Sequence, residues 1–120
     1  MHIVKILLEK EKYYGNVEYK LLIKNNINKD RFNRLSTQLK FRLIEGKGKA
    51  MYLIGVTDSG ILEGINNIKM KNSISILEKM CIEINAKILK IIEIKITDEK
   101  LVNIIKINSL FDVENLSFFI

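Results

Sequence analysis

The stretch from Arg31 to Gly60, RFNRLSTQLKFRLIEGKGKAMYLIGVTDSG, decides the fold. Phe32, Leu35, Leu39 and Leu43 fall at i, i+3, i+7 and i+11, one stripe of an amphipathic helix running to about Glu45. Asn28 to Asp30 offers its N-cap. Gly46 and Gly48 stop it, and Ala50 to Val56 reads as an apolar strand of the buried kind. Thr57-Asp58-Ser59-Gly60 is a tight-turn sequence, after which Ile61 to Ile65 returns as a short strand.

Working outward, residues 17–23 alternate, with Val17, Tyr19, Leu21 and Ile23 on one face and Glu18, Lys20 and Leu22 on the other. Residues 2–8 alternate more loosely and predict an earlier strand, antiparallel to it across the Gly15-Asn16 turn. Beyond the central stretch, Asn72 or Ser73 can cap a second helix with the stripe Ile74, Leu77, Cys81 and Ile84. Ile88 to Ile96 is a strand in which Ile92, Ile94 and Ile96 alternate against Glu93 and Lys95, and Leu101 to Ile107 is its hairpin partner. Leu116 to Ile120 reads as a short edge strand or a frayed end. The expected architecture is α+β, order ββαββαββ, with two helices packed on one face of a mixed, mostly antiparallel sheet. Two helices cover one sheet face. The other face is then solvated or meets another protein or nucleic acid.

The 120 residues suit one domain with one core. Hydrophobic residues make up 48% and charged residues 28%, which excludes a disordered chain. The net charge of +6 is compatible with a polyanion such as RNA. Cys81 is the single cysteine and His2 the single histidine, so neither an internal disulfide nor a His/Cys zinc site can be built. Cys81 itself reads as a small buried hydrophobe. No apolar run approaches the ~18 residues of a membrane span, and Lys5, Glu9 and Lys10 interrupt any signal-like segment. A cytoplasmic location is the expectation.

Several catalytic classes lack their parts. Gly46-Lys47-Gly48-Lys49 follows a helix and enters a strand, the reverse of a P-loop, and the Gly-Lys-Ser/Thr ending is missing. No Ser/His/Asp set can form around His2. On the helical wheel, Arg31, Arg34, Gln38 and Arg42 share a second stripe beside the apolar one, extended by Lys47 and Lys49. Arginine forks suit phosphate, which makes these five cations candidate nucleic-acid contacts. Glu18, read as pointing outward, and Asp58 in its turn would approach each other if their strands were neighbours. Such a pair could hold Mg²⁺ or Mn²⁺ for phosphodiester cleavage, with Lys20 steadying the developing charge. A strand pair and a turn cap are the ordinary roles for the same residues. Tyr13 and Tyr14 could stack bases or simply pack.

Two blocks carry a family resemblance. Gly15 to Leu21 is one, and Arg31 to Ile65 the other, including Leu35-Ser36-Thr37-Gln38-Leu39-Lys40-Phe41-Arg42-Leu43-Ile44-Glu45-Gly46-Lys47-Gly48 and Ala50 to Gly60. Together with the Ser73 to Asn85 helix and Ala86-Lys87-Ile88, they resemble the N-terminal domain of translational GTPases related to elongation factor one-alpha. In those proteins the G domain follows this segment. The resemblance implies a single accessory domain over 1–120, not a GTPase. A fainter similarity links Glu18-Tyr19-Lys20 and Ile54-Gly55-Val56-Thr57-Asp58 to the Schlafen or AlbA-like domain, some of whose members are RNA endonucleases using three carboxylates. Glu18 and Asp58 fall on two of those positions. The third, five residues before Glu18, is Tyr13 here, and Glu11 is out of register. The expected function is a non-catalytic RNA- or ribosome-contacting accessory domain needing no cofactor. The alternatives are a Mg²⁺- or Mn²⁺-dependent Schlafen-like ribonuclease lobe, and an interaction module for a GTPase partner or a second copy.

Overall fold

The computed structural model describes residues 7–113. In chain order they form β1 (Val17–Lys20), α1 (Lys29–Glu45), β2 (Lys49–Ile54), α2 (Asn67–Glu83), β3 (Ala86–Thr97) and β4 (Lys100–Ser109). The four strands make one sheet in the order β1-β2-β4-β3. β1 runs parallel to β2, a pairing that needs a crossover connection, which α1 supplies. β4 is antiparallel to both of its neighbours, β2 and β3.

The helix-covered face is the main core. Leu35, Leu39 and Leu43 of α1 and Met70, Leu77 and Met80 of α2 pack with Tyr52, Ile54, Ile105 and Ile107 of the sheet. The expected apolar stripe of α1 is therefore the buried one, and Cys81 is buried on α2 as read. The second face is not bare. Tyr19, Leu53, Val56 and Val102 form a smaller cluster there, and Leu8 and Leu62 pack on it from the N-terminal strap and the loop after β2.

The mixed, mostly antiparallel α+β sheet agrees with expectation, but the strand tally does not. Among the described residues, Ile61 to Ile65 forms no ladder, only the bridges Leu7–Ile61, Val56–Leu62 and Ile65–Leu101. Gly60 at φ +93° and Gly64 at φ +81° turn the backbone out of the extended region at both ends of this run. β1 stops at Lys20 rather than continuing to residue 23. Of the strand expected over 2–8, only residues 7 and 8 are described, and Leu7 bridges Ile61. Leu116 to Ile120 lies outside the described residues.

Candidate functional site

Glu18 opposes Tyr52 in the parallel pairing of β1 with β2, and Tyr52 belongs to the helix-covered core. Glu18 therefore points under α1, not outward, and only 2% of it is exposed. A buried carboxylate needs compensation, and Arg42 on α1 supplies it. Arg42 Nε donates to Glu18 Oε1 at 2.9 Å. Its Nη1 donates to the Tyr14 and Gly15 carbonyls at 2.8 and 3.0 Å, and its Nη2 to the Lys12 carbonyl at 2.7 Å. The guanidinium is 3% exposed. It clamps the strap of residues 12–15 onto the body and has no face left for phosphate. The expectation that Arg42 contacts nucleic acid is corrected accordingly.

Lys20 Nζ lies 3.7 Å from Glu18 Oε2. The remaining neighbour of Glu18 is Glu11, the residue that strand register had set aside. The strap is irregular, so alternation does not govern it. The Tyr19 N–H donates to a Glu11 carboxylate oxygen, and the Glu11 N–H donates to the Asp58 carbonyl at 2.8 Å. Glu11 is pushed up to about 7. Burial is the largest cause, followed by its hydrogen bond with Glu18; the Tyr19 N–H opposes the shift, and the charges of Glu18 and Asp58 add to it.

Glu11 and Glu18 thus meet near the strap, and Asp58 acts on Glu11 through its charge, but the three stand in unlike settings. Glu18 is sealed and engaged by Arg42, whereas Asp58 is exposed. Among the described residues, no group of three or more His, Cys, Asp and Glu side chains is placed to hold a metal ion. Glu18 has one oxygen committed to Arg42 and the other beside Lys20, so the arrangement acts as a structural ion-pair cluster. It does not present the open pair of oxygens that metal-assisted cleavage by Glu18, Lys20 and Asp58 would need.

Arg31, Arg34, Lys47 and Lys49 are all exposed. They do not form one patch. A 17-residue helix is roughly 25 Å long, so Arg31 and Arg34 sit at one end and Lys47 and Lys49 at the other. At the first end, Lys20, Lys24 and Arg31 line a cleft of about 330 Å³ floored by Leu21, Leu22, Ile23, Ile27 and Leu35. A second groove shares Leu22, Ile23 and Lys24 and adds Asn25, Asn26, Asn72 and Lys69. No carboxylate lines either groove. Sequence reading missed Lys24 and Lys69. The first lies in a loop, and the second is brought alongside only by the packing of α2, where the Ser73 hydroxyl accepts from the Ile23 N–H at 2.9 Å. Tyr13 and Tyr14 do not pack inside: they are 90% and 54% exposed and meet edge to face, with ring centres 5.6 Å apart.

The chain is 45% identical over 74 residues to GTP-binding protein 2 of mouse and, equally, to GTP-binding protein 2 of human. Those residues are 62% of this chain and 12% of each relative, so the likeness covers only a small part of the longer proteins. It supports a relationship to a GTP-binding protein. No family model matches the chain. No solved structure matches it either. The likeness to the Schlafen or AlbA-like domain thus rests on the quoted residues alone. Among the described residues, no helix is long and apolar enough to cross a membrane.

Proposed function

We propose that this chain is a non-catalytic accessory domain, related to translational GTPases, that contacts RNA, free or within the ribosome, through the basic end of α1. The observation that carries the reading is the pair of adjoining grooves lined by Lys20, Lys24, Arg31 and Lys69 without a carboxylate. Lys20 is partly neutralised by Glu18, while Lys24, Arg31 and Lys69 reach solvent. Arg34 adds a further exposed cation one turn along α1. A phosphate chain threading the grooves would gain charge on both sides and apolar contact with Leu22 and Ile27 beneath the sugars. Lys47 and Lys49 offer a second contact at the far end of the helix. The relationship to a GTP-binding protein supports work beside such a partner, with this chain supplying binding rather than hydrolysis.

The test is fluorescence anisotropy with labelled tRNA or rRNA fragments at fixed low salt. The K24E/R31E variant is expected to weaken binding by about tenfold or more. Equal binding by K24E/R31E and wild type would dismiss this surface.

A further inference from the structure

We propose that β3 is a pairing edge for a second copy of this chain, the two β3 strands running antiparallel about a twofold axis at Ile94. Among the described residues β3 is the edge of the sheet, with β4 as its single neighbour. It is twelve residues long, and an edge of that length leaves a row of backbone donors and acceptors for another strand. Leu89 and Ile91 on it are 51% and 42% exposed.

The side chains choose both the partner and the register. Pairing with β4 puts Ile92 and Ile94 opposite Ile104 and Val102, on the sheet face that carries no helix, and Ile96 packs with the same cluster. Glu93 and Lys95 stand on the other face, opposite Asn103 and Leu101, and both are exposed. Regular antiparallel pairing sets residues of one face opposite each other, so a twofold self-pairing must centre on a residue. Centring on Glu93 brings that carboxylate against its own copy. Centring on Lys95 does the same for the ammonium. Centring on Ile92 faces Glu93 with Ile91. Centring on Ile94 faces Glu93 with Lys95 of the second copy, and Lys95 with its Glu93. Two opposite-charge cross-strand pairs form on one face.

The same register sets Ile94 against Ile94 on the helix-free face and brings Ile92 towards Ile96, where β3 shifts its register against β4. The small apolar cluster of Tyr19, Leu53 and Val102 then continues across the axis into its counterpart. Lysines and bulges are the usual protection of an edge. Here Lys90 and the register shift around Leu89 guard the first part of the strand, and a second shift around Ile96 closes the regular run, which leaves Ile91 to Lys95 as the stretch whose Glu93 and Lys95 are self-complementary about Ile94.

The test uses the 120-residue chain in sedimentation equilibrium at low salt. Wild type is expected to show a concentration-dependent dimer. Glu93→Lys and Lys95→Glu, each of which creates two like-charge contacts, should raise the dissociation constant about tenfold or more. The E93K/K95E double variant should bring it back towards wild type. Circular dichroism checks that all three remain folded, which surface changes on an exposed strand allow. A wild-type chain that stays monomeric into the millimolar range overturns the proposal. So does a dimer indifferent to the single changes, or a double variant as weak as the singles. None of these substitutions touches the basic grooves, so the outcome is independent of RNA binding.

Discussion

The Arg42 guanidinium and the Glu18 carboxylate are both almost fully out of water, so removing either one strands the other. Loss of one partner of a buried pair costs about 3–5 kcal/mol. Arg42→Ala is expected to lower unfolding free energy by about that amount, read from urea midpoints. Arg42→Lys should recover little, because a single ammonium cannot reach Glu18 and the three carbonyls of the strap together. An unchanged midpoint in Arg42→Ala would show that the clamp contributes nothing. Glu11 makes the complementary pH prediction. It titrates near 7 in the folded chain against 4.5 for an ordinary glutamate. The folded chain keeps a proton that the unfolded chain has lost, so the stability this group contributes is full below pH 4.5 and is lost as pH rises to about 7. Glu11→Gln keeps an uncharged side chain beside Glu18, and its stability should fall less across that window. A slope identical to wild type would contradict the shift. The arginine stripe was legible in the sequence, but its division was not. At ~100° per residue, Arg42 lies only about 20° from Leu35, on the edge of the apolar stripe, and Arg34 lies about 100° away. What seals Arg42 is the strap, whose path no periodicity gives. Glu18 was misread because alternation separates two faces without saying which one the helices cover.

At the scale of elements, the bounds of α1 were readable because local chemistry sets them. The Asn28 side chain accepts from the Arg31 N–H at 2.8 Å, and the Gly46 N–H returns to the Arg42 carbonyl at 3.0 Å. Asn28→Ala should cost about 1 kcal/mol in unfolding free energy and fray the first turn, seen as faster amide exchange from Asp30 to Asn33. An unchanged exchange pattern would contradict a capping role. The start of α2 was placed too late. Asn66 is its cap, accepting from the Lys69 N–H at 2.8 Å, and Ser73 lies inside the helix. Ser73 has the composition of a cap but serves a tertiary tie. Its hydroxyl donates to the Lys69 carbonyl at 2.8 Å while accepting from Ile23. The alternation of β3 was correctly read, since Ile92, Ile94 and Ile96 share one face and Glu93 and Lys95 the other. The order of strands in the sheet is carried by no local signal: β4 inserts between β2 and β3.

For the molecule as a whole, charge placement matters more than charge total. Five cations expected on one surface are divided by the fold: Arg42 serves the interior, Lys47 and Lys49 one end of α1, and Arg31 and Arg34 the other. The last end is joined by Lys24 and Lys69 from separate segments of the chain. Folding therefore gathers a basic surface from positions up to 45 residues apart, Lys24 to Lys69, and the sheet edge that would pair with a second copy lies on a different element. The most direct measurement is the affinity of the wild-type chain for a tRNA fragment across a salt series. Contact through Lys24, Arg31, Arg34 and Lys69 predicts a log–log slope near −3, and a slope shallower by about 2 in K24E/R31E. A flat dependence, or the same slope in both proteins, would contradict phosphate recognition at this end of the molecule.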